Sequence, residues 1–389
     1  MRNTKLVRLL ALLFAISLIA AACGGSDDSA GDNAGGDADT EADSGDADSG
    51  DGGDSGDDGG AEDVDVAQGG TLAAVQAAGV LQCGGNDTLP GFGIVDADGG
   101  FSGFDIDFCG VVAAAVLGDA SAVEVTPLVA AQRFPTLQSG EIDILIRNTT
   151  WTASRDGAEQ ANFLYTTFFD GQGFMVRSDS GISTIEDMAD ASICVLTGTT
   201  TLLNLNSFLG DAGVPFTAVE FESNDELNPA FQAGQCEVWT SDASQLAAFA
   251  AGIDEDLTIL PTIISKEPLG PVVADGDTEW AQVVNWATMA TVQAWEFGIT
   301  SENIESFMDS EDSNIRRFLG LPIEDDDGNE AIAEVGLGLP PDFAWQIVSQ
   351  VGNYGEIFDR NLNPIGLATE GGPNDIWLNG GLHYVPPFR

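Results

Sequence analysis

The chain has 389 residues and carries 63 Asp and Glu against 12 Lys and Arg, a formal net charge of -51 at pH 7. So acidic a surface repels phosphate backbones and argues against nucleic-acid binding; it fits a salty habitat, where screening relieves self-repulsion. The only histidine is His383, and neither a GxSxG elbow nor a GxxxxGK[ST] loop occurs, so no Ser/His/Asp set and no ATP site can be assembled.

The first 22 residues read as an export signal: Arg2, Lys5 and Arg8, then an apolar run from Leu9 to Ala22, then a small-residue cleavage site. The run is too short to span a bilayer. LIAAAC followed by Gly24 and Gly25 resembles a bacterial lipobox, with Ala20 where that motif prefers Leu. Cys23 is the expected lipidation site, and its acyl chains would anchor the protein to the outer face of the cytoplasmic membrane. Residues 24–70 hold 16 Asp or Glu, no base and no aromatic among Gly, Ser and Ala. Such a segment buries too little apolar surface to offset its ordering entropy, so residues 23–70 read as a disordered, self-repelling tether rather than a calcium site.

From Thr71 onward the length suffices for two folded units. VLQCGGN (80–86) reads as a short strand ending in a turn, FDIDFCGVVAAAVLG (104–118) as a helix of small apolar residues and EVTPLV as a strand. RFPTLQSG is a helix stopped by Gly140, and IDILIRN (142–148) a buried strand. This βαβαβ order predicts a parallel sheet with its ligand crevice at the carboxyl ends of the strands. After YTTFFDGQGFMVRS (165–178) a second series follows: a helix near IEDMAD, strand SICVLTG (192–198), a helix starting in TTTLLNLNSFLG, strand AVEFE, a helix in DELNPAFQAG and strand CEVWTSD (236–242). The chain then passes through TIISKEPLGPVVAD into long amphipathic helices. Two sheet-containing lobes joined by two extended crossings fit this order better than tandem domains, and an interlobe cleft follows.

Only nine basic residues remain after Thr71, and four of them (Arg133, Arg147, Arg155 and Arg177) fall within 45 residues. They are the first candidates for an anion site. RNTTWTASRD keeps two of them eight residues apart around a Thr-Thr-Trp-Thr run.

IDILIRNTTWTASRD, GFDIDFCGVVAAAV, DGQGFMVRS, TGTTTLLNL, CEVWTSDAS and ISKEPLGPVV, taken in order, resemble the general L-amino-acid-binding proteins, the extracellular solute-binding protein family 3 components of polar amino-acid ABC transporters. The resemblance runs from about Thr71 through the closing GGLHYVPPFR. It implies an α/β, two-lobed type II periplasmic-binding-protein fold: residues 71–168 and 269–389 as lobe 1, residues 169–268 as lobe 2, and hinges near Thr166 to Gly173 and Ser265 to Pro271. It also implies an L-amino acid as ligand and the transmembrane permease of an ABC transporter as partner. No cofactor or metal is implied, and a monomer is expected.

An L-amino acid presents a carboxylate and an ammonium on one carbon, so a generic receptor needs a fixed cation facing a fixed anion. Arg suits the first, since its planar fork engages both carboxylate oxygens. By the resemblance, Arg155 holds the α-carboxylate, Thr150 assists with hydroxyl and amide, and Asn148 lies beside them in the ligand set. Gly198-Thr199-Thr200-Thr201 follows a strand and opens a helix, so Gly198 and Thr200 reach the carboxylate from the other wall while a Thr caps the helix. Asp242, ending CEVWTSD, falls on the ammonium-binding carboxylate. Asn86 and Leu89 match positions that contact the ammonium and the ligand side chain, with Asn86 where some relatives carry a carboxylate. Leu196 and Ser241 stand where glutamine-selective relatives carry basic or imidazole groups, which favours a broader pocket; Ser241 equally reads as a strand-end filler. Arg147 either reads the ligand side chain or pairs with a nearby acid.

Of the five cysteines, Cys83, Cys109, Cys194 and Cys236 remain after Cys23, with three pairings open in principle. Fold order pairs them within lobes, because a cross-lobe bond would lock the hinge. Enzymes exist on this fold, dehydratases among them, so a carboxylate-driven reaction is the alternative function; a ligand-sensing receptor component is another.

Overall fold

The computed structural model describes residues 70–324, 328–333 and 335–388. The export signal, Cys23 and the tether lie outside the described residues, apart from Gly70.

Two five-stranded sheets organise the chain. In the first, Leu81–Gly85 runs parallel to Val123–Pro127 on one side and to Ile144–Leu145 on the other. Val272–Ala274 then inserts antiparallel between Ile144–Leu145 and Ala161–Phe163. The helix Phe104–Leu117 is apolar on nearly every face and accordingly buried, against the sheet on one side and the helices Thr278–Phe297 and Phe343–Gln350 on the other. It stops at Gly118, whose φ of 71° is the left-handed cap a β-carbon disfavours.

The second sheet runs Thr217–Phe221, Ser192–Leu196, Val238–Asp242, Gln172–Arg177, Leu257–Ile259. Its first three strands are parallel, with the helices Thr200–Ala212 and Asn224–Gln232 between them in sequence. Between the sheets, Phe168–Asp170 and Glu267–Leu269 pair antiparallel, so the two crossings support one another where the sequence predicts hinges.

The first crossing is also held from the C-terminal end. Asn374 copies a neighbouring strand: its Oδ1 accepts from Phe169 N at 2.7 Å and its Nδ2 donates to Phe169 O at 3.1 Å. Tyr354 Oη donates to Thr167 O at 2.8 Å, and Tyr165 Oη lies 3.1 Å from His383 Nδ1. Phe168 packs edge-on against Phe92 and Phe104 and stacks on Phe358. A buried Phe contributes roughly 1.5–3 kcal/mol, so this ring anchors the crossing firmly in the lobe 1 core.

Both disulfides lie within lobes, as expected. Cys83–Cys109 ties the first strand to the buried helix with Cα atoms 6.2 Å apart, and Cys194–Cys236 joins neighbouring segments of the second sheet at 5.6 Å.

Two expectations need correction, and one element went unpredicted. IEDMAD is a single 3-10 turn, Glu186–Met188: the Asp187 carboxylate collects Ser183 N, Ser183 Oγ and Thr184 N, and Asp190 at φ 65° stops propagation. IDILIRN joins the ladder only at Ile144–Leu145, since Asn148 at φ 28° turns the chain into the cleft. A meander of Thr88–Leu89, Gly93–Val95 and Phe101–Ser102 has strands too short for any periodicity to announce.

Candidate ligand cleft

Arg155 sits in the short helix Ala153–Ala158, whose N-cap Thr152 accepts from Arg155 N at 3.2 Å. Its Nη1 donates to Thr150 O at 2.9 Å, and its guanidinium carbon lies 5.4 Å from the Phe134 ring centroid. Those contacts fix the plane and leave the rest of the fork without a protein acceptor among the described residues. Thr150 is set by a bridge to Leu269 on the second crossing.

Arg147 reaches the same pocket. Its Nε donates to Leu128 O at 2.6 Å and its Nη1 lies 3.5 Å from Asn148 Oδ1. Among the described residues it has no ion pair within 4.0 Å, so the salt-bridge reading of Arg147 is not what the structure has. Burial pushes its pKa down to about 10, with Asp105 and Asp87 opposing. Asp105, itself raised to about 7 by burial, accepts from Asn148 N at 2.7 Å and so holds the Asn148 turn.

Arg133 is a third guanidinium in the pocket. The sequence marks it only as part of the basic cluster. Its Nε donates to Ala130 O at 2.9 Å, and its Nη2 crosses the cleft to Gly198 O at 3.1 Å. Gly198, at φ 67°, brings its backbone within reach because a Cβ there would press on Ala131 Cα at 3.1 Å. Burial and then the neighbouring Arg155 and Arg147 lower the pKa of Arg133. Arg177, the fourth of the cluster, lies elsewhere: it pairs with Glu255 at 2.9 Å and covers the Phe231 ring.

Lobe 2 supplies the opposite wall. Asp242 ends its strand 5% exposed, and its carboxylate has no protein hydrogen bond among the described residues. Burial, reinforced by Asp170 and Glu267, holds its pKa well above the usual carboxylate range, and Arg155 and Arg133 pull it back. Thr199 caps the helix Thr200–Ala212 by accepting from Leu202 N at 3.2 Å. That helix therefore turns its first amides, which lack intrahelical acceptors, toward the pocket. Thr200 Oγ1 meets Thr150 Oγ1 at 3.4 Å, so the lobes touch across the cleft in a closed arrangement.

The pocket is a tight cavity of about 30 Å³, lined by Asn86, Arg147, Asn148, Thr150, Arg155, Thr200, Ser241 and Asp242 from the predicted set, with Leu196 as an apolar wall. Two predicted residues stand apart. Leu89 is buried outside the pocket lining, its strand Thr88–Leu89 lying against the helices Asn224–Gln232 and Ala243–Ala250 of the other lobe; Gly198 faces an adjoining groove and contributes its carbonyl to Arg133. Asn86 lines the cleft, but its Oδ1 is engaged by Asp87 N and Thr88 N. Ser241 donates to Gln245 Oε1, and Gln245 donates to Asn224 Oδ1, both at 2.9 Å. Asn224 and Gln245 line the pocket and went unpredicted, although both open helices just past strand ends, where a parallel sheet puts its ligand.

Two sheet-bearing lobes, paired crossings and an enclosed pocket with arginines facing a carboxylate define a hinged solute-binding protein. Residues 81–297 match the model of bacterial extracellular solute-binding proteins, family 3, and the chain belongs to that family. It is 45% identical over 325 residues to the general L-amino acid-binding periplasmic protein AapJ of Rhizobium johnstonii, covering 82% of this chain and 93% of that one. It is also 45% identical over 329 residues to the glutamate/glutamine/aspartate/asparagine-binding protein BztA of Rhodobacter capsulatus, covering 83% and 94%. Among solved structures, an ABC transporter periplasmic binding protein from Brucella ovis with glutathione bound superposes with a TM-score of 0.77 at 43% identity, over 82% of this chain and 99% of that one.

Proposed function

We propose that the protein is an extracytoplasmic receptor that closes over one L-amino acid and delivers it to the permease of an ABC transporter. The observation that carries this reading is the pairing of a half-open Arg155 fork with a buried, unpartnered Asp242 across one enclosed pocket. A buried carboxylate without a partner is costly, and a ligand ammonium removes the cost while the α-carboxylate completes Arg155. Because these groups sit on different lobes, the ligand favours the closed state by bridging them.

In this reading residues 71–168 and 269–389 form lobe 1 and residues 169–268 lobe 2, with hinges at the paired crossings. Residues 1–22 direct export, Cys23 carries the lipid anchor, residues 23–70 are the tether, and the receptor acts as a monomer without cofactor. It is not an enzyme. Support comes from His383, which lies among Tyr165, Phe169 and Tyr354, is pushed down to about 3 by burial, and is not among the cleft-lining residues. Calorimetric titration with each common amino acid tests the function. Saturable one-to-one binding by at least one is expected, whereas dehydratase turnover without it would overturn the reading.

Arg147 is assigned to the ligand side chain, since one α-carboxylate does not need two arginines. Arg147→Ala is expected to cost glutamate, aspartate and their amides about 1–3 kcal/mol, the scale for an unmatched buried polar group, and to leave alanine and leucine nearly unaffected. An equal loss for all ligands in the same titrations would return Arg147 to the scaffold or the shared carboxylate.

A further inference from the structure

Glu267 lies on the second crossing and is 1% exposed, yet no basic group stands within 4.0 Å of it among the described residues. Hydroxyl and amide donors surround it instead. Its Oε2 accepts from Thr200 Oγ1 at 3.0 Å; its Oε1 accepts from Asn204 Nδ2 at 2.8 Å and from Ser265 Oγ. Thr200 and Asn204 are four residues apart, neighbours on one face of the helix Thr200–Ala212. A carboxylate of the hinge therefore grips the first turn of the lobe 2 helix that lines the cleft. Asp170 is the register partner of Glu267 on the facing crossing, but among the described residues no group of three acids or other donors is placed to hold a metal ion.

The direction of the hydrogen bonds follows from counting protons. Thr200 Oγ1 is the donor to Glu267 Oε2, so its single hydroxyl proton points to Glu267. In the 3.4 Å contact between Thr200 Oγ1 and Thr150 Oγ1, Thr200 is then the acceptor and Thr150 the donor. The result is a one-way line, Thr150 to Thr200 to Glu267, running from lobe 1 through lobe 2 to the hinge. Glu267 also favours the charged form of Arg155, ahead of Asp242.

We propose that Glu267 is a positioning residue of ligand capture: by fixing Thr200 as acceptor for Thr150, it latches the lobes and slows ligand escape. The inference rests on the amino-acid-binding function above. It is tested on the full chain, carrying one fluorophore on each lobe, with L-glutamate as probe. Thr200→Val and Glu267→Met are each expected to raise the dissociation rate about tenfold, equivalent to about 1.4 kcal/mol, with little change in association. The double variant should dissociate no faster than either single one, and Thr200→Ser, which keeps the hydroxyl, should dissociate more slowly than Thr200→Val. A roughly hundredfold, multiplicative effect in the double variant, or an unchanged rate in Glu267→Met, overturns the latch. Should Glu267→Met fail to fold, equal rates for Thr200→Val and Thr200→Ser overturn it as well. Energy transfer without ligand separates the two claims. A wild type that binds no amino acid sinks the binding function, whereas the latch stands if Thr200→Val lowers the ligand-free closed fraction and falls if it does not.

Discussion

Arg155→Ala is expected to abolish measurable amino-acid binding while the protein stays folded. Removing the guanidinium leaves the ligand α-carboxylate desolvated in a closed cleft with no fixed cation, a loss on the order of 2–5 kcal/mol. Arg147 and Arg133 do not substitute, because Arg147 Nε is spent on Leu128 O and Arg133 on Ala130 O and Gly198 O. The fold survives because the helix Ala153–Ala158 is capped by the Thr152 hydroxyl on the Arg155 amide, which alanine keeps. Calorimetry paired with a thermal melt checks both halves; near-native affinity would end the assignment.

Asp242→Asn carries the second large effect. It is expected to weaken α-amino ligands by a similar amount and to remove the disadvantage of deamino analogues; if that disadvantage persists, Asp242 is not the ammonium partner. A proton signature accompanies it. Burial with Asp170 and Glu267 holds the Asp242 carboxyl protonated above its ordinary range, and the ammonium pairs only with the carboxylate. Between the ordinary and raised pKa values, binding therefore expels a proton, so affinity falls as pH drops. Binding heats measured there should vary with the ionisation enthalpy of the buffer, and that variation should shrink in Asp242→Asn. Folding without ligand has the opposite sign, because the native state binds the extra proton: stability declines as pH rises through this window, and Asp170, raised to about 6 by burial, adds to the decline.

Much of this was legible in the residues because the signals were local and periodic. The parallel core strands and the buried helix Phe104–Leu117 follow from apolar runs and glycine stops, whereas the antiparallel strands Ala161–Phe163, Leu257–Ile259 and Val272–Ala274 do not. The cleft was legible through strand ends and through the rarity of bases in an acidic chain, which singled out Arg147 and Arg155. What escaped depends on geometry between distant segments. In the sequence Arg133 is only one of four clustered bases, and its place in the site depends on Gly198 arriving from the other lobe. Leu89 lies outside the pocket lining, in a two-residue strand that has no period from which to read a facing side. Asn224 and Gln245 join through side-chain hydrogen bonds that no spacing rule encodes.

The brace on the first crossing also sets an order in time. The strands of the second sheet all fall between Gln172 and Ile259, so that sheet is complete while more than a hundred residues are still to come. The first sheet waits for Val272–Ala274 to slot between strands laid down over a hundred residues earlier, a long loop closure that slows folding. Last of all come Asn374 and His383, the outer partners of Phe169 and Tyr165. A nascent chain short of those residues can hold both sheets but lacks two of the contacts that brace its first crossing, so the full seating of the hinge is the final property the polypeptide acquires.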